Sequence, residues 1–284
     1  MKKLMSGLVI AMSMLAMVGC GSSETVSTTG GVEEPVEVTT QVTDSASTEE
    51  EVSEDAEETT GEVVSNGTLV MATNAEFPPY EFREGDNFVG IDVEIATAIA
   101  QELGMELKIE DMAFDSVIAA VVSGKADIGL SGMSVTEDRL VTVNFSDTYT
   151  QAAQVIIVKE GSEVTTPDDL EGKTIGVQLG TTGDIYSSDI QDATIERYNK
   201  GFEAVQAVLQ DKIDAVIIDR EPAKVFVEEN EGLVIIDEEF TLEDYAIAIN
   251  KDNIELLEQV NTVLATLQES GKLDEIKAKY ITAE

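Results

Sequence analysis

The stretch Gly124–Arg139, GKADIGLSGMSVTEDR, decides the reading of this chain. Asp127–Leu130 reads as a short buried strand, with Ser131, Gly132 and Ser134 at its end. Thr136 is placed to cap a helical turn, and Arg139 lies one turn further on. Small residues let a ligand approach the backbone closely, and an Arg fork grips a carboxylate with two parallel bonds. Together they make a plausible carboxylate clamp. The same spacing also fits an ordinary strand–turn–helix with a surface Arg, so the stretch alone leaves both open.

Outward from it, the chain alternates strands and helices. Thr68–Thr73 is an apolar strand, followed by the rigid loop EFPPYE at Glu76–Glu81. Ile91, Ile95, Ile99 and Leu103 recur every four residues and mark one buried helix face, which Gly104 ends. Met105, Leu107 and Ile109 alternate as a strand, and a second helix opens at Phe114 with Val117, Ile118, Val121 and Val122 inward. Downstream, Tyr149–Val158 is a long β-like run, Lys173–Gln178 a strand ending in Leu179-Gly180-Thr181-Thr182-Gly183, and Asp214–Ile218 a strand ending at Asp219. Tyr245–Asn250 looks like one return strand, and two helices, about Asn253–Glu269 and Lys272–Tyr280, finish the pattern.

Two stretches echo each other. Gly124-Lys125-Ala126-Asp127 and Asp211-Lys212-Ile213-Asp214 each join a helix to a strand that ends in polar, ligand-like residues. This pattern gives two similar βα lobes. In open sheets of this kind ligands sit beyond the carboxyl ends of the strands. The Phe77 loop, Ser131–Arg139, Gly180–Thr182 and Asp219 all fall there.

Composition removes several function classes. The 284-residue chain carries 17 basic and 57 acidic residues, a net charge of −40, which repels nucleic-acid phosphates. It has no His and a single Cys, so a His-based triad, a Cys-cluster zinc site and an internal disulfide are out of reach. No cofactor or metal is called for. Residues 1–19 read as a signal peptide: a basic start at Lys2 and Lys3, then the apolar run Leu4–Val18. Cys20 follows directly, and Met17-Val18-Gly19-Cys20 resembles a bacterial lipobox with Met in place of the usual Leu. That resemblance implies a lipid on Cys20. Residues 20–65 are rich in Ser, Thr, Val and Glu without Lys or Arg, and read as a disordered acidic tether.

The segments ATNAEFPPYEF, FVGIDVEIATAIAQELG, AFDSVIAAVVSGKADIGLSGMSVTEDR, VNFSDTYT, LEGKTIGVQLGTTGD and KIDAVIIDREPA occur in this order. They resemble the polar amino-acid-binding proteins of ABC importers, bacterial solute-binding protein family 3. The resemblance covers roughly Gly67 to Tyr280. It implies an α/β, two-lobed type II periplasmic binding protein fold with a two-segment hinge near Gln154 and Ile249. Lobe 1 is then residues 66–154 and 250–284, and lobe 2 residues 155–249.

Carried over by position, Phe77 and Phe114 are implied to sandwich the ligand side chain, and Arg139 to bind its carboxylate. Ser131, Gly132 and Ser134 surround its main-chain groups. Gly180, Thr181 and Thr182 form the lobe 2 turn that meets the carboxylate, and Asp219 takes the α-ammonium. Phe77 and Phe114 also fit plain core roles, and Asp219 fits a cap on the helix entering at Pro222. Members that bind cationic amino acids often carry Asp where this chain has Asn74. Asn74 and Gln178 therefore favour a polar uncharged side chain such as glutamine or cystine, while Glu76 nearby could restore a negative charge. The resemblance further implies a monomer, no enzymatic activity, an ABC permease as partner, and a lipid-anchored position on the outer face of the cytoplasmic membrane. The alternatives are a cyclohexadienyl-dehydratase-like enzyme with Glu76 as general acid, or the ligand-sensing subunit of a receptor.

Overall fold

The computed structural model describes residues 67–281; the signal peptide, Cys20 and the tether lie outside them. The first half of the chain runs β1 (Thr68–Thr73), β2 (Phe82–Glu84), β3 (Asn87–Val89), α1 (Ile91–Glu102), β4 (Glu106–Asp111), α2 (Phe114–Val122), β5 (Ile128–Gly129), α3 (Glu137–Thr142) and β6 (Val143–Phe145). Next come β7 (Thr150–Lys159), β8 (Thr174–Gln178), α4 (Thr182–Ser187), β9 (Thr194–Tyr198), α5 (Gly201–Leu209), β10 (Ala215–Asp219), α6 (Arg220–Glu229), β11 (Leu233–Ile235) and β12 (Thr241–Tyr245). The last elements are β13 (Ala248–Asn250), α7 (Ile254–Glu269) and α8 (Lys272–Tyr280).

These elements build a two-lobed α/β fold on two mixed sheets. One has the order β4-β1-β5-β13-β6, the other β11-β7-β10-β8-β9 with β12 paired to β7. The first is parallel across β4, β1 and β5, and the second across β10, β8 and β9. The chain passes between the sheets at residues 146–149 and returns at 246–247. β13, α7 and α8 thus join the sheet begun by the N-terminal strands.

The four-residue repeat of isoleucines works as the pattern predicts: Ile91, Ile95 and Ile99 are fully buried on the inner face of α1. Two expectations need correcting. Val122 is 46% exposed although read as inward, because the last residue of α2 has turned off the face that buries Val117 and Val121. Tyr245–Asn250 is not one strand, since Tyr245 ends β12 in one sheet and Ala248 begins β13 in the other. Tyr245, Ala246, Ile247, Ala248 and Ile249 are all buried, so both faces of this segment are covered as it crosses between lobes. Its backbone is held there by Ala246 N donating to Met133 O and Ser146 N donating to Ile247 O. The hairpin β2–β3 and the short strands β6, β9 and β12 carry too little periodicity to be read in advance.

Gly90 fixes how the EFPPYE loop meets α1. Its φ is +124°, and a Cβ there would stand 2.2 Å from the Tyr80 carbonyl oxygen. The loop's carbonyls cap the helix, with Ile91 N donating to Pro79 O and Asp92 N to Tyr80 O. Gly90→Ala adds backbone strain of about 1–3 kcal/mol and overpacking of similar size. The expected loss is about 2–6 kcal/mol in stability, read from the urea midpoint; an unchanged midpoint would show that the loop gives way freely.

Candidate functional site

The strand ends deliver the polar residues to one cleft. Asn74 follows β1, Ser131 follows β5 by two residues, Gln178 ends β8 and Asp219 ends β10. A narrow cavity lies between the two sheets. Asn74, Phe77, Phe114, Gly132, Ser134, Arg139, Gln178, Thr181, Thr182 and Asp219 line it, and Glu81 joins them from the Phe77 loop. Ser131 and Gly180 stand just behind the wall. Ser131 Oγ accepts from Asn74 N at 3.0 Å and donates to Glu81 Oε1 at 2.8 Å, while Gly180 supplies a carbonyl to Arg139. Glu76 is not part of the wall; its carboxylate pairs with Lys200 across the cleft mouth, and that bond raises the Lys200 pKa.

Arg139 is buried on the α3 turn that Thr136 caps, its hydroxyl accepting from Arg139 N at 3.2 Å. Its Nη1 donates to Ser134 O at 2.6 Å and its Nη2 to Gly180 O at 3.0 Å, so one guanidinium ties the two lobes. The guanidinium carbon lies 5.5 Å from the centre of the Phe114 ring, within cation–π range. A second tie runs from Gln178 Nε2 to Asn74 Oδ1 at 2.9 Å. The cleft is closed in this structure. Phe77 stacks on Tyr80 at 6.0 Å, and a Cβ on Gly132 would stand 2.9 Å from the Phe77 ring.

Asp219 occupies the N-cap position of α6, but its side chain makes no cap bond. Tyr245 OH donates to its Oδ1, and Gln154 Nε2 donates to its Oδ2 at 2.8 Å. The same Gln154 amide reaches Thr182 Oγ1 at 3.3 Å and Glu243 Oε2 at 3.2 Å, and Ser134 Oγ donates to Glu243 Oε2 at 2.6 Å. A second acidic pair lies under the Phe77 loop. Asp92 Oδ2 accepts from Gly132 N at 2.8 Å and from Tyr149 OH at 3.0 Å. Asp92 Oδ1 and Glu81 Oε2 receive no bond from any other residue, and the two carboxyls hydrogen-bond each other when one holds a proton.

Burial sets the electrostatics. It pushes the Asp219 carboxyl up to about 7, with Glu243 adding to the effect. Burial also pushes Asp92 up to about 6 and, together with the Asp92 charge, lifts Glu81 well above the usual carboxylate range. The Arg139 pKa is lowered by burial and supported chiefly by the charges of Glu243 and Asp219.

Glu81, Asp92, Gln154, Glu243 and Tyr245 were not read from the sequence as site residues. Nothing local marks an acid for burial. One usable signal was strand parity, which puts Glu243 on the same side of β12 as Tyr245. Among the described residues, no His, Cys, Asp and Glu group could hold a metal ion, and no helix is long and apolar enough to cross a membrane.

The model of the bacterial extracellular solute-binding proteins, family 3, matches residues 69–283. The chain belongs to this family. It is 37% identical over 222 residues to the arginine-binding extracellular protein ArtP of Bacillus subtilis, covering 76% of this chain and 87% of ArtP. It is 30% identical to the L-cystine-binding protein TcyJ of Escherichia coli, covering 78% and 85%. Among solved structures, a mutant of ArgBP from T. maritima is 42% identical, with a TM-score of 0.74 over 76% of this chain and 96% of that one. The fold is that of the two-lobed periplasmic binding proteins. These relatives bind rather than transform their ligands, and this chain is a solute-binding protein, not an enzyme.

The raised acids make stability depend on pH. An unfolded aspartate ionises near about 4, whereas folded Asp219 ionises at about 7. Between those values the folded state holds the extra proton, so stability is greatest at the acid end and falls as pH rises from about 4 to about 7. Asp219→Asn is expected to reduce the fall in urea midpoint between pH 5 and pH 8, with Asp92 and Glu81 accounting for the remainder. The same fall in both proteins would reject this account of Asp219.

Proposed function

We propose that this chain is an extracytoplasmic amino-acid-binding protein that closes on a cationic amino acid, arginine by the best fit, and delivers it to the permease of an ABC transporter. The charge of the cavity carries the choice of ligand. Arg139 answers the α-carboxylate and Asp219 the α-ammonium, which balances a zwitterion. Glu81 remains in the wall, and Glu243 lies behind Ser134. The surplus is of acids, and a ligand with a third, positive charge would stabilise their ionised form. Burial favours the protonated form of Glu81; a guanidinium beside it favours the carboxylate instead. Phe77 and Phe114 offer apolar faces to the side chain.

Asn74 had favoured an uncharged ligand such as glutamine or cystine. Glu81 sits in the same wall and supplies the acid that Asn74 lacks. Glu76, engaged by Lys200, is not needed for it. The arginine-binding relatives support this reading; the cystine-binding relative supports the uncharged alternative. Closure is about the two crossing segments near Gln154 and Ile249, between a lobe of residues 66–154 with 250–284 and a lobe of residues 155–249. The antiparallel pair β7–β12 beside those crossings supports a hinge there. Closure about a hinge around a ligand is a general motion of periplasmic binding proteins. The protein acts as a monomer, held by a lipid on Cys20 and the tether of residues 20–65 at the outer face of the cytoplasmic membrane.

Calorimetry with L-arginine and L-citrulline, its neutral isostere, tests the ligand class. Arginine is expected to bind at least about tenfold more tightly, with Glu81→Gln narrowing the gap. Arg139→Ala should cost about 3–5 kcal/mol, a hundredfold or more in affinity, because it breaks a buried charge pairing. Citrulline, glutamine or cystine binding more tightly than arginine would overturn the cationic reading. Mass spectrometry of the mature N-terminus is expected to find a diacylglyceryl-modified Cys20; an unmodified Cys20 would remove the anchor.

A further inference from the structure

Behind the cavity, the turn between β8 and α4 is braced by Asp184 and Arg197, neither of which lines the cavity. Asp184 is 7% exposed. Its Oδ2 accepts from Gly180 N at 3.0 Å and its Oδ1 from Arg197 Nε at 2.7 Å. Arg197 Nη2 also donates to Ser188 Oγ at 3.2 Å. The Asp184 N–H donates to Thr181 Oγ1 at 3.3 Å, and that hydroxyl donates to Gln178 O at 2.8 Å.

Gly180 is therefore gripped on both sides. Its N–H goes to Asp184, and its carbonyl accepts from Arg139 of the opposite lobe. Its φ of +79° is a conformation in which a backbone without a Cβ has wide freedom. A Cβ there would also stand 3.1 Å from Asp115 Cβ on α2, so the turn abuts the other lobe. A loose turn at this point would have to be ordered at each binding event, and that ordering subtracts from affinity. A charge-assisted bond from a buried carboxylate removes the freedom beforehand.

We propose that Asp184, braced by Arg197, is a positioning residue for ligand binding: it fixes the Gly180 turn so that Arg139 and Thr181–Thr182 meet the ligand's α-carboxylate in one geometry. The proposal rests on the assignment of Arg139 to that carboxylate. It makes a selective demand, because Asp184 matters for a ligand only through its carboxylate end. A residue that merely stabilised the fold would weaken every ligand alike.

The test is calorimetry of wild type, Asp184→Ala and Arg197→Gln with L-arginine and with L-argininamide, whose carboxylate is replaced by an amide. If another amino acid binds more tightly than arginine, it and its own amide take their place. Wild type is expected to prefer arginine. Asp184→Ala should weaken arginine by about tenfold to hundredfold, the loss of one bond to a charged group, and leave argininamide within about twofold. Arg197→Gln should act in the same direction and less, about threefold on arginine, because its half-exposed ion pair contributes little. Exchange of the Gly180 amide hydrogen should quicken in both variants.

Equal weakening of both ligands by Asp184→Ala, or no weakening of arginine, overturns the proposal. If Asp184→Ala does not fold, Arg197→Gln decides alone, and arginine affinity equal to wild type overturns it. Wild type that fails to distinguish arginine from its amide would overturn the carboxylate assignment itself. That outcome is separate, because it appears before any variant is compared.

Discussion

A guanidinium removed from water must find its partners within the protein, and the site is arranged around that requirement. Arg139 is buried, so its charge is costly unless each N–H is engaged and a counter-charge is near. One carbonyl comes from Ser134 on its own lobe and one from Gly180 on the other. The Phe114 ring covers one side, and Glu243 and Asp219 supply the nearby negative charge. Because these partners come from both sheets, satisfying one side chain also brings the lobes together. A ligand carboxylate placed at the same guanidinium gains from the same convergence.

The opposite charge is distributed by an amide. Gln154, on the strand that follows the first crossing, presents one Nε2 to Asp219, Thr182 and Glu243. Tyr245 and Ser134 complete the support of the two acids from the strand that precedes the return crossing and from the Arg139 turn. The crossing segments of the proposed hinge and the Asp219 side of the pocket therefore share their hydrogen bonds. Under the proposed closure, movement of the lobes and occupation of the pocket would act on one network. The raised Asp219 carboxyl is the cost of keeping that network dry, and it is the state a positive group would relieve.

What the sequence determined by itself was whatever local periodicity or kinship of segments encodes. The isoleucine stripe of α1, the cap at Thr136, and the strands read at Thr68–Thr73 and Lys173–Gln178 are local matters of period and capping. The two-lobed fold followed from six ordered segments resembling one family. Ten of the residues flagged from that resemblance or beside it converge on one cavity, since strand ends in open α/β sheets converge whatever their order in the chain.

Tertiary structure alone decided the rest. That Tyr245 and Ala248 belong to different sheets depends on what covers each face, which a run of buried residues does not reveal. Glu76 and Glu81 stand in one loop and look alike in sequence, yet one pairs with Lys200 at the mouth and the other is buried in the wall. The pocket's charge depends on which of them is buried, because water screens an exposed acid and does not reach a buried one. Asp184 likewise acquires its place only when folding brings Gly180 and Arg197 to its two oxygens. Hydrogen-bond partnership across tens of residues has no period, and so it is settled by packing rather than by sequence pattern.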